Sequence, residues 1–514
     1  MPYKKSFSYW SEGSLLGNFP ALDRDLTADV VVVGGGLTGI TMAYLLAEAG
    51  CDVALVERHS LCAGDTGRTT AHLTAFLDAS YSELIKIHGE EKAALAASSH
   101  REAIHFIEST VCKEGIECSF QRLEGVLLET PEWSTEKDLK KEVEAFRRVG
   151  FAGASLCAEN PIASWPGACV RLPGQARFHP LEYLQGLLKK IQQRGGKIYT
   201  HTPVIKREKE TLTTERHHQI RARHVVLATH APVGEVSVFL KQAPYRTYVV
   251  AGRVPHDLVH DALYWDMADP YHYVRLQPLD GASDLLIVGG EDHKTGQPGT
   301  DDPEEPFRNL EGWAYRYFPG VEEFLYQWSG QVWEPADGLA FIGHAGGDEK
   351  LYLATGYSGN GMTHGTIAAQ LLSDLILGLP NPWTELYDPS RKKLGGLREA
   401  AKENFNVAKQ YAADYLKAGE IPSVDELKPG DGAVLKHGAA PYAVYRDEKG
   451  NLHAFSAVCT HLGCVVKWNG TEKSFDCPCH GSRFSCQGEV LNGPAVENLR
   501  KKEIDQVMGA HHEH

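Results

Sequence analysis

Asp29-Val30-Val31-Val32-Val33 runs directly into Gly34-Gly35-Gly36-Leu37-Thr38-Gly39 and on through the apolar stretch Ile40 to Ala49. Consecutive valines read as a buried strand, the glycines as a tight turn and the apolar run as a helix. Strand, G-x-G-x-x-G and helix together form the arrangement in which a dinucleotide pyrophosphate meets a helix N-terminus. Gly34 permits the turn, Gly36 lets the backbone approach the phosphates, and Gly39 allows the helix to lie close to the strand. The next strand, Cys51 to Val56, ends in Glu57, placed to accept hydrogen bonds from a ribose. Val30 to Ala47 is uncharged and long enough for a membrane span, but its four glycines suit strand, turn and helix better. The fingerprint does not separate NAD from FAD.

Outward from this stretch, strand signals at Asp52–Val56, Val225–Ala228 and Leu351–Ala354 alternate with helical segments, which predicts α/β layering on a parallel sheet. Tyr245–Val254, Tyr271–Leu276 and Leu285–Val288 alternate as antiparallel strands do and predict an inserted second domain. A chain of 514 residues is too long for one core. With 42% hydrophobic and 23% charged residues and a mean hydropathy of -0.31, it is neither fibrous nor disordered. A net charge of -15 excludes the electrostatic footprint of a nucleic-acid or anionic-membrane binder. Met1 to Phe7 carries Lys4 and Lys5 with no apolar run behind them, so a cytoplasmic location without a membrane span is expected.

From Ser390 to Ala418 the composition turns to Ala, Lys and Glu, with apolar residues at helical spacing, which predicts a connecting helix over 386–422. Beyond Ser423, short β signals are separated by Asp431-Gly432, Asn469-Gly470 and Asn492-Gly493, the turn chemistry of a small β domain. The terminal His511-His512-Glu513-His514 reads as a frayed tail. Of the eleven cysteines, five lie between Cys459 and Cys486, in Cys459-Thr460-His461-Leu462-Gly463-Cys464 and Cys477-Pro478-Cys479-His480-Gly481-Ser482. Such a Cys and His set holds either zinc or an iron-sulfur cluster. A zinc ribbon leaves Cys464 and Cys479 without a role.

These paired loops closely resemble the Rieske family. The resemblance implies a two-iron two-sulfur cluster on Cys459, His461, Cys477 and His480, with Cys464 and Cys479 joined as a disulfide. Ser482 matches a serine that hydrogen-bonds to sulfur in high-potential members, whereas Phe484 stands where they carry a tyrosine; Cys486 matches nothing and is expected to be a free thiol. Upstream, Ser8-Tyr9-Trp10, the glycine fingerprint, Gly64 to Thr70, Val225 to Thr229 and Ala354 to Met362 together resemble the FAD-dependent D-amino acid oxidase superfamily, over roughly Ser8 to Leu379. That resemblance implies FAD held by Gly34, Gly36, Gly39 and Glu57, by Thr66, Arg68, Thr69 and Thr70, by Val204 and Thr229, and by Gly356, Gly359, Gly361 and Met362. It also implies that Arg275 clamps a substrate carboxylate, with His72, Tyr248, Trp265 and Asp266 as further pocket candidates.

The fold class expected is therefore an α/β Rossmann-type FAD-binding domain (segments about 28–90, 170–235 and 335–385), an interleaved antiparallel-sheet substrate domain (about 91–169 and 236–334) and an all-β Rieske domain over 423–507. The resemblance implies oxidation of an amine or amino acid by hydride transfer to flavin, with electrons passed to the tethered cluster and on to an external protein or quinone. Two alternatives stay open: electron flow in the reverse direction, or an oxidase in which the Rieske module is a docking or structural element.

Overall fold

The computed structural model describes residues 8–13, 16–157, 159–233, 236–297, 300, 302–391, 424–437 and 440–504. The connecting helix expected over 386–422 falls almost entirely outside the described residues, as does the histidine tail.

The valine run forms the strand Leu26–Val33, buried on both faces as near-continuous β-branched strands are. It pairs in parallel with Val53–Val56 on one side and Gln219–Leu227 on the other, and the latter pairs in parallel with Asp348–Thr355. These strands centre an eight-stranded sheet. Against it lie the helices Leu37–Glu48, Pro180–Gln193 and Gly361–Leu377, whose buried Ile40, Leu187 and Ile367 enter one common core. The parallel strands sit where the valine-rich segments predict them.

A nine-stranded sheet lies beside it, dominated by the long antiparallel strands Gln242–Pro255, Ser283–Lys294 and Glu323–Pro335. Two segments assigned from sequence to the α/β domain belong here instead. Cys169–Arg177 pairs antiparallel with Gln121–Leu128, and His72–Leu73 pairs with Arg177 and Ala176. Backbone pairing over long sequence separations decided this, and local periodicity carries no record of it. The helix Glu90–Glu114, expected to open the substrate domain, packs its buried Ala97, Ile104 and Ile107 into the first core.

The C-terminal β domain consists of a three-stranded sheet over Asp431–His437, Ala440–Arg446 and Leu452–Ser456, and a four-stranded one ending in Val490–Asn492. Among the described residues no helix is long and apolar enough to cross a membrane.

The C-terminal domain packs against the antiparallel sheet and the turn Asp65–Arg68 through buried charge. Glu472, with 3% of its side chain exposed, meets Arg68 at 2.6 Å, Arg483 at 3.5 Å and Arg246 at 3.7 Å. Burial alone would raise the Glu472 carboxyl; the three guanidiniums hold it well below the usual carboxylate range. Around this clasp, Gln331 donates to the carbonyl of Gly481 at 2.8 Å, Gln297 to that of Pro478 at 3.1 Å, and Asn492 to the Asp65 carboxylate at 3.0 Å.

Candidate functional site

The glycine turn behaves as its spacing predicts. Gly34 has a φ of +115°, and a Cβ there would stand 2.2 Å from the carbonyl oxygen of Ala228. A Cβ on Gly39 would lie 1.9 Å from the carbonyl oxygen of Gly34, so only glycine lets the helix approach the strand. The helix starts at Gly36 with no side-chain cap at that position, and the Thr66 hydroxyl takes the Leu37 N–H at 3.1 Å. The N-terminal amides and the helix dipole there suit a pyrophosphate.

A cavity of about 840 Å³ opens at this turn. Gly34, Gly36, Glu57, Thr66, Val204 and Thr229 line it, as do Thr69, Thr70, Gly359, Gly361 and Met362. These positions come together from six separate segments, in a cavity whose size and chemistry fit FAD. Glu57 also supports the turn itself, accepting from Gly35 N at 2.6 Å and His59 N at 2.8 Å.

Several expected residues take other roles. Arg68 reaches the cavity wall, but its guanidinium is held by Glu472 and by the Ser329 carbonyl at 3.0 Å, so it serves the domain interface and not a diphosphate. Gly356 does not line the cavity; its φ of +74° turns the chain beneath Gln242, where a Cβ would meet the amide oxygen at 2.7 Å. Gly39 also sits behind the cavity, in its packing role.

Arg275 is the largest correction. Its side chain is fully buried and absent from the cavity wall. Its Nε donates to the Leu276 carbonyl, its Nη1 to the carbonyls of Thr70, Ala71 (2.8 Å) and Phe178, and its Nη2 to Gln277, while the guanidinium lies 5.4 Å from the Trp10 ring. With every nitrogen engaged, it ties the Thr70–Ala71 segment to the sheet and has nothing left for a substrate carboxylate. Tyr248 faces away from the cavity and bonds His293 at 2.8 Å, because strand alternation turns its neighbour Thr247 inward. Asp266 pairs with His272 at 2.7 Å and is likewise absent from the wall.

His72 and Trp265 do line the cavity. Both His72 ring nitrogens are occupied, Nδ1 with Thr70 at 3.0 Å and Nε2 with the Val274 carbonyl at 3.2 Å. Burial, reinforced by the Arg275 charge, pushes its pKa down to about 3, so the ring stays neutral and acts as a fixed wall. The same end of the cavity holds residues that the sequence reading did not single out: Asp78, Thr247, Tyr271, Tyr273 and Asp292. Thr247 and Asp292 on adjacent antiparallel strands share the inward parity, a signal available only once the pairing is known.

The C-terminal domain also contributes to the cavity wall, through Thr460, His461, Leu462 and His480. The two cysteine-rich loops fold alike. Cys459 N donates to the Cys464 carbonyl and Gly463 N to the Cys459 carbonyl; Cys477 N donates to the Ser482 carbonyl and Gly481 N to that of Cys477. A Cys464–Cys479 disulfide joins them. Cys459 and Cys477 are buried free thiols, and the Nδ1 atoms of His461 and His480 are buried without a hydrogen-bond partner. Two thiols and two orphaned imidazole nitrogens are the donor set of a Rieske [2Fe-2S] centre. Phe484 is fully buried in the apolar core, while the Ser482 hydroxyl hydrogen-bonds to Cys459. Cys486 is a free thiol, near Tyr445. The histidine rings stand 5.2 Å apart, and Phe239, itself on the cavity wall, packs against both at 5.3 and 4.6 Å.

Comparison with known proteins agrees with this division. Residues 29–375 match the family model "FAD dependent oxidoreductase" and residues 418–503 the "Rieske [2Fe-2S] domain". The chain is 34% identical over 506 residues to YhfW of Bacillus subtilis (strain 168), which bears the name Rieske 2Fe-2S iron-sulfur protein, covering 97% of this chain and 98% of that one. It is 25% identical to the gamma-glutamylputrescine oxidoreductase of Escherichia coli (strain K12), over 72% of this chain and 88% of the relative. Glycine oxidase from Geobacillus kaustophilus shares the fold over 71% of this chain and 99% of its own, with a TM-score of 0.60 at 20% identity. Turn, cavity and paired loops thus have one explanation: the chain is an oxidoreductase that belongs to the FAD dependent oxidoreductase family and carries a C-terminal Rieske [2Fe-2S] domain.

Proposed function

We propose that this protein is an amine dehydrogenase in which electrons taken from substrate leave the cavity through the Rieske domain of the same chain. The observation that carries this reading is the single cavity walled at once by the glycine turn and by His461 and His480. Bound FAD supplies acceptance of a hydride from the carbon beside nitrogen, and the cluster one-electron transfer at a potential raised by its imidazole ligands.

The chain's own residues prepare that chemistry. The amides at the head of Leu37–Glu48 neutralise the pyrophosphate; Gly359 to Met362 open the helix Gly361–Leu377 at the cavity, placing its positive dipole end there. His72, neutral and held at both nitrogens, shapes the substrate end without exchanging protons. The substrate amine nitrogen contributes its lone pair to the new C=N bond as the hydride departs, and water then hydrolyses the imine. Phe239 packs against both histidine rings on the cavity wall, an apolar contact between the flavin cavity and the cluster's imidazole ligands that supports an intramolecular path. Two successive one-electron transfers from the cluster to an external acceptor, protein or quinone, complete the balance. The free cysteines scattered through the chain suit a reducing compartment, which supports a cytoplasmic setting.

Anaerobic rapid mixing with an amine substrate tests the reading. Bleaching of the flavin followed by bleaching of the cluster, at a rate independent of protein concentration, is the expected result. Flavin bleaching with an unchanged cluster would refute it and favour a docking role for the Rieske domain.

A further inference from the structure

We propose that Asp292 is the ammonium-binding residue of the substrate end, and that the substrate is a cationic alkylamine recognised without a carboxylate clamp. The proposal deepens the reading above and rests on it for the identity of the reaction: the bound ammonium passes one proton to the Asp292 carboxylate, and the neutral amine then has the lone pair that forms the C=N bond.

Asp292 stands on the strand Ser283–Lys294, facing the cavity beside Thr247. Its Oδ1 is buried and has no hydrogen-bond partner. The Thr247 hydroxyl serves the carboxylate, and the same hydroxyl meets Tyr273 Oη at 2.6 Å. No ion pair to Asp292 is formed among the described residues. Asp78 shares this end but is already satisfied: it accepts from Gly359 N at 2.5 Å and from Tyr271 Oη at 3.3 Å. Tyr271, Tyr273, His72 and Trp265 supply aromatic walls suited to an alkylammonium. Burial and the neighbouring Asp78 charge push the Asp292 carboxyl up to about 7, the condition of an acid that lacks its cation.

Most cations that line the cavity are held by carboxylates: Arg68 by Glu472, Arg207 by Asp348 and Lys206 by Glu208. Arg58 follows Glu57 at the turn and donates to the Val496 carbonyl at 3.3 Å. Arg275 is turned inward onto carbonyl groups. A substrate carboxylate at this end would meet Asp78 and Asp292, whereas an ammonium would complete the unfilled Asp292 Oδ1. Specificity for amines over amino acids thus comes from both an attraction and a repulsion.

The test uses two unreactive isosteres on the holoenzyme, followed by calorimetry and by perturbation of the flavin absorption. tert-Butylammonium has no hydrogen on the carbon beside nitrogen and cannot be oxidised; pivalate has the same shape with the opposite charge. tert-Butylammonium should bind and pivalate should not, and Asp292→Asn should weaken the ammonium about ten- to a hundred-fold, the loss of one charge-assisted pair. Flavin content and melting temperature of the variant report folding, and the isostere comparison on the unaltered protein decides the question without it. Binding of pivalate in preference to the ammonium, binding of neither, or unchanged affinity in a folded Asp292→Asn variant would overturn the assignment. Ammonium binding at Asp292 with no amine able to bleach the flavin would instead sink the proposed reaction and leave this site standing.

Discussion

Replacing Glu472 by Gln removes one charge from the clasp and nearly nothing from its shape, so the perturbation is electrostatic. In the structure Glu472 faces Arg68 (2.6 Å), Arg483 (3.5 Å) and Arg246 (3.7 Å), and the last two are 2% and 1% exposed. Asp476 remains to Arg483 at 3.0 Å, but Arg246 has no other carboxylate within ion-pair distance among the described residues, and its Nε and Nη1 have no hydrogen-bond partner. Breaking a buried pair in this way costs about 3 to 5 kcal/mol, because one guanidinium is left desolvated and uncompensated. Arg68, in the turn Asp65–Arg68, and Arg246, on the strand Gln242–Pro255, lie outside the Rieske domain and Arg483 within it, so the loss falls on docking. Equilibrium urea unfolding should be followed by two signals on one sample: flavin release, and visible circular dichroism of the cluster. Coincident transitions are expected for the natural protein; in Glu472→Gln they should separate and shift to lower urea. The carboxyl lies well below its unfolded value, so this contribution is complete above the ordinary carboxylate pKa and is lost only as pH falls through the depressed one. Transitions that stay coincident and shift by less than about 0.5 kcal/mol would refute the reasoning.

Gly39→Ala should abolish flavin retention or folding, since its Cβ would sit 1.9 Å from the Gly34 carbonyl oxygen; a variant purified with full flavin content would contradict this. Arg275→Met should cost about 3 kcal/mol through its orphaned carbonyls while leaving the preference between amine and amino acid unchanged, measured by thermal unfolding and by KM ratios. His461→Ala or His480→Ala should remove the electron paramagnetic resonance of the reduced Rieske cluster and spare the flavin spectrum. His72→Gln should leave the pH profile of kcat/KM unchanged between pH 5 and 8, because a ring with its pKa pushed down to about 3 is neutral throughout; a lost acidic limb would show that His72 titrates.

Strand, glycine turn, helix and paired cysteine loops could be read directly because each is a local device. Gly39 must be glycine wherever that helix lies on that strand, and Cys459 and His461 reach one metal centre from one loop. Charged side chains could not be read so, because their role depends on what long-range packing places beside them. Arg275 was legible as an arginine on a strand, yet only the packing of Thr70, Ala71 and Phe178 over it shows that it holds carbonyls. Arg68 lies in a loop that does line the cavity, but a carboxylate 404 residues away draws its guanidinium aside. Tyr248 and Thr247 are adjacent in sequence and lie on opposite faces, and strand register alone decides which meets substrate. What the sequence determined was the pair of cofactors, through motifs whose geometry is confined to a few residues. What tertiary structure decided was the charge of the substrate end and the placement of the histidines on the flavin cavity, because both arise from groups brought together across hundreds of residues by burial.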